Sequence, residues 1–525
     1  MSRFSELHFS TFDVVVIGGG IVGAGIARDA TLRGLKVALL EKNDFGSGTT
    51  AGSTRLVHGG LRYLEMLDFR LVRMDLRERE ILLRIAPHLV RPLRFVLPFY
   101  EKRLAFRIKL RAGMMLYDAL SFDRSLPGHR YTTKAETLRD EPSLSARGLQ
   151  GAVTYSDAQV ASPERLCLEN ILDARENGCI ALNYAEVTGA LRERGRVCGV
   201  RARDVLTGET MEVSGRVVIN ASGPWLDAVT QSLQPAGRRR IRMTKGIHIA
   251  CPPVSEQAYV LTSPLDGRLF FVIPWLGYSW IGTTDTDFIG DPASARATAE
   301  DVAYLVESAS AFFPQLRDTR IFWTNAGVRA LVMRKGRPSG ISRLHRIVDE
   351  TPNGSPGLIS VLGGKITGYR AIAEEATDAA CALLSRHRKS VTAALSLPGA
   401  RGDAPSGALP HLQTIYGSRT AEVTALADAD QRLAQPLDAA YPGIAAQVVH
   451  AVRSEQAVRV GDFLLRRSYL GFSEDQGMRA LAAVADTMAA ELRWSAARKS
   501  AEIEEYTQWT TQTQQFRNTA PAYRS

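Results

Sequence analysis

Apolar runs and glycines alternate at the start of the chain. Residues 13–17 are apolar and end in glycines, a helical pattern continues through Arg33, a turn falls at Gly34, and a second apolar run covers 36–40. That order predicts a β-α-β unit. From Leu71 to Ile85, charged and apolar residues alternate at helical spacing, whereas 211–219 and 269–281 carry alternating or β-branched runs typical of strands. The middle of the chain is therefore mixed α and β. Residues 397–410, with Pro, Gly, Ser and Asp, break the pattern and read as a linker. Beyond it, Met478, Leu481, Ala485, Met488 and Leu492 recur at steps of three and four, which predicts a helix with one apolar face. The C-terminal unit reads as all-helical, structural in role and without a chemical motif, and the chain shows no repeat of fixed period.

At 525 residues, 45% hydrophobic and 23% charged, the chain can bury a large core and should divide into two or three units. No apolar run reaches the roughly 18 residues of a membrane span, and residues 1–11 lack the apolar core of a signal peptide, so a cytoplasmic protein is expected. Cys167, Cys179, Cys198, Cys251 and Cys381 are far apart, which argues against a disulfide framework, an iron-sulfur site or any other metal site.

The net charge of +10 favours an anionic partner: a nucleic acid, an acidic membrane surface or a phosphorylated substrate. Nucleic acid is the weakest of these, because no recognised nucleic-acid signature is present. Between 91 and 111, Arg91, Arg94, Lys102, Arg103, Arg107, Lys109 and Arg111 are interleaved with apolar residues, and only Glu101 opposes them. Such a segment can lie on an anionic leaflet; a strand and helix with solvated cations would read the same way.

Directly after the first apolar run stand Gly18, Gly20 and Gly23 in a Gly-x-Gly-x-x-Gly motif, with Glu41 closing the second run. The tight turn, the approach of backbone to a pyrophosphate and the close helix–strand contact each exclude a side chain. A carboxylate at 41 suits ribose hydroxyls and repels a 2′-phosphate. The motif alone does not distinguish NAD from FAD.

Farther along come His58 before Gly59-Gly60-Leu61-Arg62-Tyr63-Leu64-Glu65, then Asn220-Ala221-Ser222-Gly223-Pro224-Trp225, Lys245-Gly246-Ile247-His248, Gly282-Thr283-Thr284-Asp285 and Gly363-Gly364-Lys365-Ile366-Thr367. In this order the motifs closely resemble the quinone-linked, aerobic-type glycerol-3-phosphate dehydrogenases, over about 13–370 and more loosely over 460–509. The resemblance implies an α/β fold: a Rossmann-like FAD-binding domain of the D-amino-acid oxidase type, a sheet-based substrate domain and an all-helical C-terminal domain. It implies an oxidoreductase region over 12–395, with the FAD domain at about 12–70, 150–225 and 350–390 and the substrate domain at about 71–149 and 226–349. The linker would be 396–410 and the helical domain 411–515. Two departures are Gly368, where the family usually has a second Thr, and Ala330, where it prefers Pro.

The activity so implied is oxidation of sn-glycerol 3-phosphate to dihydroxyacetone phosphate, with electrons passing through non-covalent FAD to ubiquinone or menaquinone. A peripheral position on the inner face of the cytoplasmic membrane and a homo-oligomer are both compatible with it. His248 is the candidate base, since an imidazole can take an alcohol proton near neutral pH. Arg329 and Lys365 complete the catalytic set, and Arg62, Tyr63 and Arg343 would bind the substrate phosphate. The cofactor set is Gly18, Gly20, Gly23, Glu41, Lys42, Thr49, Thr50, Ser53, His58, Val187, Ala221, Gly223, Gly364, Ile366 and Thr367. An oxidase, a dehydrogenase of another polyol phosphate and an amine oxidase on the same fold are the rival readings, and a flavin-bearing nucleic-acid partner is the rival from another class.

Overall fold

The computed structural model describes residues 4, 7, 10–64, 66–101, 103–234, 239–333, 343–405, 407 and 409–519. The opening β-α-β unit is the strand Thr11–Ile17, the helix Ile21–Leu32 and the strand Val37–Leu40. Thr11–Ile17 lies inside an eight-stranded sheet, parallel to Val37–Leu40 on one side and to Thr210–Asn220 on the other. Ile180–Leu182 and Leu358–Leu362 extend the parallel array, and Arg346–Asp349 joins one edge antiparallel. Strands buried on both faces read as unbroken apolar runs, which is why 14–17 and 37–40 show no alternation. The helices Ile21–Leu32, Pro163–Glu176 and Tyr369–Leu383 join these strands in one core containing Val14, Val16, Ile26, Ile171, Ile372 and Ala376.

A second, ten-stranded sheet is mainly antiparallel. Next to one edge Ile241–Cys251 pairs with the edge strand Trp323–Val332 over ten residues and with Tyr278–Gly282 on its other side. The segment 269–281, read as one strand region, is a hairpin of Leu269–Trp275 and Tyr278–Gly282. This sheet also takes Leu56–Val57 and Gly151–Val160, both from segments that the family resemblance assigns to the FAD domain. Gly151–Val160 goes there because its ladder with Val90–Phe99 runs the full ten residues.

The basic stretch divides in two. Val90–Phe99 is an interior strand between Gly151–Val160 and Ala258–Thr262. The helix Leu104–Leu120 buries only Met114 and Tyr117. Lys102 lies outside the described residues.

The C-terminal unit is built mainly of helices, among them Ala445–Glu455, Leu481–Leu492 and Ala496–Thr513. The apolar face expected there is real: Leu481, Ala485 and Met488 are buried with Val484, while Met478 lies ahead of the helix and is partly exposed. One small hairpin, Pro436–Asp438 with Tyr441–Ile444, interrupts the all-helical plan. The start of the linker is anchored, since Leu397 N–H donates to Ile85 O at 2.9 Å and Gly399 N–H to Glu169 Oε2 at 2.8 Å.

Candidate active site

A cavity of about 1700 Å³ runs along the carboxyl ends of the parallel strands and on between the two sheets. It is larger than the roughly 300–1,000 Å³ that one small ligand needs, which leaves room for a dinucleotide and a substrate together. At one end Gly18 (φ +104°) turns the chain out of its strand. A Cβ at Gly23 would fall 1.9 Å from Gly18 O, so the glycine-rich turn and the helix after it touch backbone to backbone. Gly23 therefore shapes the turn and does not itself line the cavity, whereas Gly18 and Gly20 do.

Glu41 fixes this turn as well as facing the cavity. Its Oε2 accepts Gly19 N–H at 2.7 Å and its Oε1 accepts Asn43 N–H at 2.8 Å. The hydroxyls of the following loop are similarly engaged: Thr50 Oγ1 accepts Ile21 N–H at 3.0 Å, Thr49 Oγ1 donates to Val328 O at 2.6 Å, and Ser53 Oγ accepts Arg55 N–H at 3.3 Å. All three residues line the cavity on a loop fastened to the first helix and to the second sheet. Lys42 Nζ sits 4.3 Å from the Trp225 ring centre, and Val187, Ala221 and Gly223 form the facing wall. Asn220 is wholly buried; its amide binds Leu226 O, Thr230 and Ser222, and so builds the turn beside that wall.

Three further cations line the cavity, Arg329, Arg343 and Lys365. Arg329 projects from the Trp323–Val332 strand and donates to Thr283 Oγ1 at 2.7 Å and Asp285 Oδ1 at 3.1 Å. Arg343 donates to the other oxygen of Asp285 at 3.2 Å, and its buried Nη1 has no partner among the described residues. Lys365 Nζ donates to His58 O at 2.7 Å and to Asp75 Oδ2 at 2.9 Å, and lies 5.6 Å from the Tyr63 ring centre. Burial pushes the Asp75 carboxyl up to about 6, against the pull of Lys365. Its Oδ1 has no partner among the described residues, and a Cβ at Gly368 would stand 3.5 Å from it. Gly364 (φ +120°) takes a backbone conformation that residues with a side chain rarely adopt, beside Ile372. Gly364, Lys365, Ile366, Tyr63 and His58 all line the cavity. Arg62 lies in the turn Leu61–Leu64, with its side chain outside the described residues.

Besides Gly23, two expected residues stand back from the wall. Thr367 is wholly buried and exchanges hydrogen bonds with the His58 backbone, accepting its N–H at 3.2 Å and donating to its O at 3.4 Å. His248 is 1% exposed, stacked on Trp280 at 4.9 Å, with Nε2 3.0 Å from Thr54 Oγ1. Burial, then the charges of Arg329 and Arg55, push its imidazole well below the ordinary value, so it is neutral at physiological pH. Thr54 lines the cavity in its place. Thr54, Asp75 and Asp285 are the residues that the sequence reading passed over; only Asp285, inside a quoted motif, carried a local signal.

The glycine turn, the side-chain-free backbone at Gly364 and the size of the cavity fit FAD, whose pyrophosphate needs bare backbone. The family described as FAD dependent oxidoreductase matches residues 13–373, and the one described as the C-terminal domain of alpha-glycerophosphate oxidase matches 370–499. Glycerol-3-phosphate dehydrogenase from Synechocystis sp. is 37% identical, covering 98% of both chains. Aerobic glycerol-3-phosphate dehydrogenase from Staphylococcus haemolyticus is 34% identical over 88% of this chain and 87% of its own. The crystal structure of glycerol-3-phosphate dehydrogenase from Bacillus halodurans complexed with FAD superposes with a TM-score of 0.80 at 30% identity, covering 97% of each chain. Full-length likeness in sequence and in fold, around a cavity shaped for the same cofactor, makes this chain a member of the FAD-dependent glycerol-3-phosphate dehydrogenase family.

Proposed function

We propose that the protein oxidises sn-glycerol 3-phosphate to dihydroxyacetone phosphate and passes the electrons to a membrane quinone, ubiquinone or menaquinone. The observation that carries the substrate is the cation set: two guanidiniums bridged by the single carboxylate of Asp285, with Lys365 lining the same cavity. A phosphate dianion calls for such a set, and the buried Nη1 of Arg343 has no partner among the described residues. Oxidising the alcohol removes a hydride from carbon and a proton from oxygen, and bound FAD supplies the hydride acceptor.

This chain's own side chains do the rest. Arg329, Arg343 and Tyr63 hold the phosphate end and thereby orient the alcohol carbon. Lys365, tethered by Asp75, keeps a positive charge beside the reacting end. The hydroxyl proton goes to His58, whose position in the cavity wall supports this role better than the position of His248. His248 acts through Thr54, fixing the direction of that hydroxyl.

For the acceptor, the helix Leu104–Leu120 offers a docking surface. Leu104, Ile108 and Met115 fall on one stripe and are 70%, 57% and 65% exposed, with Arg103, Arg107 and Arg111 alongside. Apolar residues at the acyl boundary and cations at anionic head groups suit a peripheral contact. No helix among the described residues is long and apolar enough to cross a membrane.

The test is anaerobic bleaching of the protein's flavin absorbance by sn-glycerol 3-phosphate, with glycerol and a D-amino acid as controls. Bleaching by the phosphate ester alone is expected; bleaching by an amine alone overturns the substrate. Rapid reoxidation by quinone and slow reoxidation by oxygen is expected next, and the reverse makes the protein an oxidase. Leu104→Glu with Ile108→Glu should abolish co-sedimentation with anionic vesicles, and undiminished binding removes that helix from the proposal.

A further inference from the structure

The C-terminal unit grips the nucleotide loop at one buried carboxylate. Asp44, 1% exposed, begins the loop that carries Ser47, Thr49, Thr50 and Ser53 along the cavity. Two consecutive arginines of the C-terminal unit, Arg466 and Arg467, close on its Oδ2 through Nε and Nη1 respectively. Arg467 Nη2 also donates to Asp44 Oδ1 at 2.9 Å, and Asn183 Nδ2 donates to the same oxygen at 3.0 Å. Burial works against this charge, yet the two guanidiniums hold the Asp44 carboxyl below its ordinary value.

The arginines are themselves braced. Arg466 Nη2 donates to Asp462 Oδ1 at 2.8 Å, an oxygen that also accepts the Tyr184 hydroxyl at 2.6 Å. Arg467 Nη2 donates to Glu455 O at 2.8 Å. Phe463–Arg467 is wound as a π-helical turn. Consecutive side chains stand about 100° apart on an α-helix, and the wider π turn brings them closer in direction, so neighbours can share one carboxylate.

From its other side, the same loop is tied to the glycine turn. Gly46 N–H donates to Gly19 O at 3.0 Å, and Ile21 N–H to Thr50 Oγ1 at 3.0 Å. Arg459, Asp462, Leu465 and Arg466 also line the cavity beside Tyr184, Glu186 and Arg203. The C-terminal unit thus forms wall as well as brace.

We propose that the C-terminal unit is part of the cofactor site: Arg466 and Arg467 are positioning residues that hold residues 43–54 against the nucleotide half of FAD through Asp44, and so set how long FAD stays bound. Removing either guanidinium leaves a buried carboxylate short of positive charge, which is strongly unfavourable unless the loop moves to let water reach it. Loop and cofactor then loosen together. The inference rests on the FAD site and is independent of the substrate and the acceptor.

FAD release from the full-length holoenzyme is followed by the rise of free-flavin fluorescence after dilution. Arg467→Met and Asp44→Asn should release FAD at least about tenfold faster, equal to at least about 1.4 kcal/mol of barrier. Arg467→Lys should fall between. Arg453→Met, which cuts the Arg453–Glu491 pair elsewhere in the same unit, should leave release unchanged. With FAD saturating, KM for sn-glycerol 3-phosphate should stay within about twofold in every variant, the size of change expected when substrate contacts are intact. Wild-type release rates in folded Arg467→Met or Asp44→Asn overturn the proposal. Hydrogen exchange on wild-type protein decides the matter even if both variants fail to fold. Stripping FAD should raise exchange across 458–472 as well as 43–54, and a change confined to 43–54 overturns it.

Discussion

Asp75 offers a charge whose cost can be weighed. Its carboxyl is wholly buried on the helix Phe69–Ile85 and pushed up to about 6 from an ordinary 3.8, by burial and against Lys365. The shift of about two units is worth about 3 kcal/mol. The folded state binds this proton more tightly than the unfolded state does, so stability falls as pH rises from about 3.8 to about 6 and stays lowered above it. Integrated between pH 5 and pH 8, the loss is about 1.4 kcal/mol, since part of the window is already crossed at pH 5. Asp75→Asn removes that titration. Urea unfolding of the flavin-loaded protein at both pH values, for wild type and variant, gives the double difference in which every other titrating group cancels. Wild type should lose about 1.4 kcal/mol more than Asp75→Asn on going from pH 5 to pH 8. Equal losses, within about 0.5 kcal/mol, would refute the assignment of a neutral-range proton to this carboxyl.

Other perturbations act on the site directly. Arg329→Met should lower kcat/KM for sn-glycerol 3-phosphate by about 30-fold or more, from the loss of about 2 kcal/mol or more in a charged, hydrogen-bonded contact; an undiminished kcat/KM would remove the arginine from the phosphate subsite. Gly23→Ala places a Cβ 1.9 Å from Gly18 O, so the protein should purify with little flavin, as the ratio of flavin to protein absorbance will report. Thr54→Val cuts the contact to His248 and should slow flavin reduction about tenfold in stopped flow without weakening substrate binding, in line with one lost hydrogen bond. A reduction rate equal to wild type would leave His248 a purely structural residue.

What the sequence makes legible is what lies close together along it. The glycine turn, its strand and its helix occupy 11–32, and the motif specifies each contact through neighbours a few residues apart. Sheet membership is harder, because it depends on pairing at a distance. Gly151–Val160 follows the ladder of Val90–Phe99 into the second sheet, although its own pattern of burial, nearly continuous, would suit either sheet. The site shows the same division. Arg329, Lys365 and His58 stand inside motifs and reach the cavity, whereas the link from Thr54 to His248 joins residues 194 apart and has no local signature.

Buried charge is the hardest signal to read. On the helix Phe69–Ile85 residue type would send Asp75, Glu78 and Arg79 to solvent, yet helical spacing puts them on the same face as Leu71, Leu82 and Ile85, and all three are buried. Each meets a partner from far along the chain: Lys365 for Asp75, Arg370 for Glu78 and Asp157 for Arg79. The C-terminal unit repeats the case, since Arg466 and Arg467 look like ordinary helix cations until Asp44 is found between them. A carboxylate removed from water must be matched by positive charge, and here the matching cation in each case comes from another part of the chain. Ion pairs of this kind therefore tie the helix that begins beside Tyr63 to the segment after Gly364, and the cavity-lining loop to the C-terminal unit. Segments without a motif of their own thus help to build the site.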